Sequence, residues 1–156
     1  MTQSHHFSAR LTWTGAAKGA TSSYESYSRD HVIEVPGKPP LPGSADKVFH
    51  GDSSRHNPED LLVMSLSSCH MLTYLAEAAR AGVHVVAYSD DASGTMQLHE
   101  GKMRFTEVSL RPHPLPILKK RGCVFTQSRP IAVRQRFEKR TPNIKNQRPP
   151  KAVRCI

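Results

Sequence analysis

The sequence has few cysteines, few aromatic residues, and no apolar run long enough to be read as a membrane span. Among its 156 residues, three are Cys, one is Trp, and aromatics make up 6%. An odd number of cysteines, with no apolar leader over Met1 to Arg10, speaks against an exported disulfide framework and places the chain in the cytoplasm. The longest apolar-rich stretch, Leu61 to Ala81, is interrupted by Ser65, Ser67, Ser68, His70, Glu77 and Arg80. It falls short of the roughly 20 consecutive apolar residues a spanning helix needs, so no membrane partner is expected. No internal repeat is present. The length suits one domain with a real core.

Acidic residues are nearly missing from the last quarter. Between Lys119 and Ile156 there are 12 Lys/Arg and one acid, Glu138, a charge of +11. The formal net charge of the whole chain is +9, so the preceding 118 residues carry −2. The basic character therefore belongs to a tail on a near-neutral domain. After Phe125 the tail has one aromatic, Phe137. Base stacking has little to work with, and a solvated extension is preferred over a nucleic-acid partner.

What is present reads as α+β. Phe7, Ala9, Leu11 and Trp13 alternate with polar residues as in a half-buried strand. A second strand is expected over Ser28 to Val35, ending at Pro36-Gly37, followed by a Pro-rich loop that runs on to His56. Asn57 is a good helix cap, Pro58 suits the first helical position, and Glu59 and Asp60 complement the positive helix end. Apolar residues recur at helical spacing from Leu61, and Gly82 supplies the stop. At 100° per residue Leu62, Leu66, Cys69, Thr73 and Ala76 share one narrow stripe, and Leu61, Leu72, Leu75 and Ala79 widen it. A helix apolar over so much of its surface is central, and more than one small sheet can cover. That predicts an obligate homodimer built around it. Strands follow at Val83 to Tyr88, Ala92 to Leu98 and Met103 to Leu110, with a turn at His99-Glu100-Gly101. Strands, one long helix, then strands make an antiparallel α+β domain. The division is residues 1–112 as core and 113–156 as a divergent basic, Pro-rich segment.

Cys69 lies 12 residues beyond the cap, too far for the helix dipole to activate it. A reactive thiolate there needs an Arg or Lys brought from elsewhere. Glu59, ten residues earlier and roughly 15 Å along the axis, cannot touch Cys69 of the same helix. It can hold the arginine that does. The alternatives are a buried inert thiol at 69 and simple capping at 59. His50, His56, Cys69 and His70 match no zinc spacing, and Cys69 and His70 point about 100° apart, so no metal is expected and no Cys-His pair either.

Asn57-Pro58-Glu59-Asp60-Leu61-Leu62 followed by Ser68-Cys69-His70-Met71 resembles the signature of the OsmC/Ohr family. Tyr27-Ser28-Arg29-Asp30-His31, Gly43-Ser44-Ala45-Asp46, Gly51-Asp52, Tyr88-Ser89-Asp90, Gly94-Thr95-Met96, Phe105-Thr106-Glu107-Val108 and Leu110-Arg111-Pro112 extend the likeness over roughly Phe7 to Pro112. The resemblance implies an intertwined homodimer with sheets wrapped around two central helices. It implies a thiol-dependent peroxidase reducing hydroperoxides, often organic ones, with an external thiol or dithiol as reductant and no cofactor. Cys69 is then the peroxidatic cysteine and Glu59 the site carboxylate. The resolving cysteine of the family begins a Cys-x-x-x-x-Ser pattern, which Cys123 and Ser128 match in spacing. The flanking segment is shorter and richer in Pro than the family's, and Cys155 is the fallback. For the arginine, Arg55 is preferred over Arg29; the branch's usual basic residue before Gly51 is here His50. The competing reading is a non-catalytic OsmC-like domain, binding or structural, that has lost its resolving cysteine.

Overall fold

The computed structural model describes residues 4–117 and 133–136. The chain divides within its helix into two compact units, Met1–Leu66 and Ser67–Ile156.

The first unit is built on three antiparallel strands, β1 (Arg10–Trp13), β2 (His31–Glu34) and β3 (Leu41–Gly43), in the order β1-β2-β3. Trp13 pairs with His31, and His31 in turn with Gly43. β3 lies inside the segment expected to be loop. Its Pro42 is tolerated because β3 is an edge strand, where a missing N–H breaks no ladder. The long stretch after β3 is a compact polar structure. Asp46 accepts a hydrogen bond from Val48 N at 2.9 Å, capping a short 3-10 turn over Lys47–Phe49. His50, in the left-handed region at φ 61°, ends it.

The helix α1 (Pro58–Arg80) begins and ends where its sequence says it should. Asp60 N donates to Asn57 Oδ1 at 2.7 Å, and Asn57 N donates back to Asp60 Oδ2 at 3.2 Å. This reciprocal cap satisfies donors the helix cannot satisfy itself. At the far end Gly82 takes φ 70°, and Gly82 N and Val83 N reach back to Ala79 O and Ala78 O. That is the six-to-one and five-to-two closure a left-handed glycine permits.

In the second unit β4 (His84–Asp90) pairs with β7 (Pro112–Ile117), and β5 (Ser93–His99), β6 (Lys102–Leu110) and β8 (Val133–Arg136) form a sheet in the order β5-β6-β8. All of these pairings are antiparallel. The β5–β6 turn falls at the expected place. Glu100 and Gly101 both take positive φ, 52° and 73°, as a two-residue hairpin turn matching strand twist requires. β7 and β8 lie beyond the strands read from the sequence. Pro112, Pro114 and Pro116 alternate along β7, so each missing N–H falls on one side of the strand and β4 can pair with the other.

Val108, Leu110 and Pro112 are the buried apolar side chains among the described residues, and no residue of α1 is buried. Leu72, Leu98, Leu11 and Phe7 stay 63%, 69%, 63% and 95% exposed. By length and a mean hydropathy of 1.2, α1 is apolar enough to cross a membrane, contrary to the expectation above. Its Ser67 and His70, however, hydrogen-bond to side chains of β4, the packing of a helix on a sheet.

Candidate functional site

Cys69 sits on the second-unit portion of α1 as a free, exposed thiol. The helix was expected to be central, yet Cys69 on it is exposed. Cys123 and Cys155 lie outside the described residues. Thr73 Oγ1 donates to Cys69 O at 2.9 Å, the back-bond of a helical threonine.

In the first unit the motif residues converge on one buried carboxylate. Asp30 is 6% exposed and Ser44 fully buried. Ser44 Oγ donates to Asp30 Oδ1 at 3.2 Å and accepts from Asp52 N at 3.1 Å, while Ser44 N donates to His56 O at 3.0 Å. Lys18 Nζ lies 2.9 Å from Asp30 Oδ2. Arg55 Nε lies 3.3 Å from Asp52 Oδ2 and 3.9 Å from Asp30 Oδ1. Arg55 thus lies between two carboxylates, its side chain 32% exposed. Its partners are Asp30 and Asp52, and among the described residues it forms no ion pair with Glu59, the acid expected to orient it. Arg29 is held otherwise. Its two terminal nitrogens donate to the carbonyls of Tyr24 and Tyr27, and it lies over both rings at 5.0 and 3.9 Å. It staples its own loop.

Glu59 has a buried carboxylate oxygen, Oε2, with no hydrogen-bond partner among the described residues. A buried acceptor left unsatisfied is costly, and such atoms mark strain or function. Simple capping does not explain it, because Asn57 and Asp60 supply the cap.

The Lys18 hydrogen bond, helped by Ser28, Ser44 and Arg55 and opposed by burial, holds the Asp30 carboxyl below its ordinary 3.8. Ser54 does the same for Asp52. A carboxyl lowered on folding stabilises above its unfolded pKa, and that contribution is lost as pH falls through the folded value. Wild type is therefore expected to lose stability below about pH 4. Asp30→Asn should be less stable at pH 7 and show a shallower acid limb. Urea midpoints from pH 3 to 7 check this, and parallel curves for the two proteins would contradict it.

Beside Cys69 the sequence reading missed a second cluster. His70 Nδ1 is 2.9 Å from the Tyr88 hydroxyl, and Ser67 Oγ donates to Asp90 Oδ2 at 2.6 Å. Burial first, then the charge of Asp90 and the neighbouring Tyr74, pushes Tyr88 up to about 12. The signal was the motif Tyr88-Ser89-Asp90, with Ser67, His70 and Tyr74 at helical spacing on α1.

A domain of antiparallel strands with one long helix, carrying an exposed cysteine and a capped N-terminus with an unsatisfied glutamate, defines the class. The OsmC-like protein family profile matches residues 51–115. A solved structure of an OsmC-like protein of unknown function from Vibrio cholerae is 30% identical, with a TM-score of 0.67 over 77% of this chain and 80% of that one. No curated protein matches the chain. The chain belongs to the OsmC-like family.

Proposed function

We propose that this chain is a cytoplasmic thiol-dependent peroxidase that reduces hydroperoxides, organic ones included, through Cys69. The observation that carries the reading is the exposed free thiol of Cys69, on the capped helix that also bears Glu59. The thiolate sulfur attacks one peroxide oxygen. The O–O bond breaks, the alkoxide leaves with a proton as alcohol, and Cys69 becomes a sulfenic acid. A second thiol condenses with it, releasing water and forming a disulfide, which an external dithiol reduces. Cys123 is the proposed second thiol, with Cys155 as its substitute. Arg55 is the proposed thiolate partner and Glu59 the site carboxylate. The test is hydroperoxide consumption driven by a dithiol, wild type against Cys69→Ser. Equal rates would leave the non-catalytic reading in place.

The same reading includes self-association. Twenty-three residues of apolar-rich helix with none buried leave much apolar surface in water, at about 25 cal/mol per Å². A second copy covering α1 removes that cost. Sedimentation at micromolar concentration is expected to show a dimer; a stable folded monomer would contradict it.

A further inference from the structure

The cluster beside Cys69 is a polar seam between α1 and β4. On α1, Ser67, His70 and Tyr74 fall within about 60° of one another at 100° per residue. On β4, Tyr88 and Asp90 are two residues apart and so share one face. The seam has three contacts. Ser67 Oγ meets Asp90 Oδ2 at 2.6 Å, His70 Nδ1 meets the Tyr88 hydroxyl at 2.9 Å, and the Tyr74 and Tyr88 rings lie 5.7 Å apart. Asp90 is itself pinned, because its Oδ1 accepts from Arg111 N at 2.6 Å. Polar contacts of this kind have direction, whereas apolar packing tolerates rotation and slip. Cys69 points about 130° away from the seam. Thr73 and Ala76, on the same side as Cys69, are exposed with it.

We propose that Ser67, His70, Tyr88 and Asp90 are positioning residues that fix the rotation of α1 and so set the direction in which Cys69 is presented. This rests on the reading that Cys69 is the reacting thiol. The seam does not touch the peroxide. It acts by keeping the thiol at one angle on a helix that apolar contacts alone would hold loosely. Tyr88 keeps its proton at all ordinary pH values, with Tyr74, Asp90 and His70 as the titratable groups around it, so its hydroxyl serves as a constant partner to His70.

The experiment follows alkylation of Cys69 by iodoacetamide against pH, read on its own peptide by mass spectrometry in the full-length protein. Helical circular dichroism is recorded alongside. The variants are Ser67→Ala with Tyr88→Phe, which keep shape and remove the polar contacts, and the pair His70→Leu and His70→Asn. Asn keeps a polar atom near the Nδ1 position. The Ser67→Ala/Tyr88→Phe protein and His70→Leu are expected to alkylate about three-fold more slowly at pH 7. His70→Asn should restore the wild-type profile. Hydroperoxide kcat/KM should fall on the order of ten-fold in the first two, with the reductant KM unchanged. Profiles that overlay wild type in folded variants overturn the seam, even if turnover is lost. Shifted profiles rescued by Asn, in a protein whose wild type consumes no peroxide, would support the seam and refute the peroxidase reading. If the double variant does not fold, the His70 pair decides on the same readout.

Discussion

Cys69→Ser is expected to bring hydroperoxide consumption down to the uncatalysed background, a loss on the order of 10³-fold or more. A serine hydroxyl at this position is isosteric, so fold and helix content should be unchanged. It cannot form the thiolate that attacks the O–O bond, and it has no route to a sulfenic acid. The dipole of α1 gives no help at this depth, because its effect is confined to the first turn and Cys69 lies more than three turns from the cap. If Arg55 is the thiolate's partner, as proposed, Arg55→Ala should slow turnover while leaving Cys69 in place. Mass spectrometry after peroxide is expected to find a Cys69–Cys123 disulfide. A Cys69–Cys155 link would move the partner. Sulfinic acid at Cys69 without any disulfide would mean that the resolving step is missing.

Gly51→Ala is expected to cost about 3 kcal/mol, the upper end for forcing a methyl group into filled space. A Cβ on Gly51 would stand 1.7 Å from Ala45 O and 2.2 Å from Ala45 C. Both are backbone atoms, so no rotamer change relieves the clash. The loop would have to open. That separates Gly51 N from Asp46 O, now 3.0 Å apart, and disturbs the neighbouring bond from Asp52 N to Ser44 Oγ. Those bonds carry the cage around Asp30, so Arg55 loses its clamp as well. Gly82→Ala is the control. Nothing lies within 4 Å of a Cβ there, but φ is +70°. Its cost is conformational, about 1 kcal/mol. Thermal unfolding should separate the two, with Gly51→Ala lower by several degrees. Equal midpoints would show that the loop around Gly51 gives way cheaply.

The helix was legible from local chemistry alone. Asn57, Pro58, Asp60 and Gly82 each act within a turn of their own position, so their effect needs no distant partner. The hairpin turn at Glu100-Gly101 was readable for the same reason. β3 and β7 were hidden by prolines. A proline forbids one side of a ladder, and whether that side faces a neighbour or the open edge is decided by sheet order, which is not written locally. The site divides in the same way. The family resemblance singled out Cys69 and Glu59, and helical spacing showed that they cannot touch on one helix. That Arg55 is caged by Asp30 and Asp52, with Lys18 and Ser44 around the first of these, could come only from the tertiary structure. Those residues are brought together across strands and loops, up to 37 positions apart in sequence. The link from His70 to Tyr88 spans 18 residues and that from Ser67 to Asp90 spans 23, and each depends on which face α1 turns to β4. The sequence by itself determined the helix, its caps and the β5–β6 turn, because these rest on neighbours along the chain. The tertiary structure decided which charges and hydroxyls meet, because burial and hydrogen-bond geometry exist only once the chain has closed on itself.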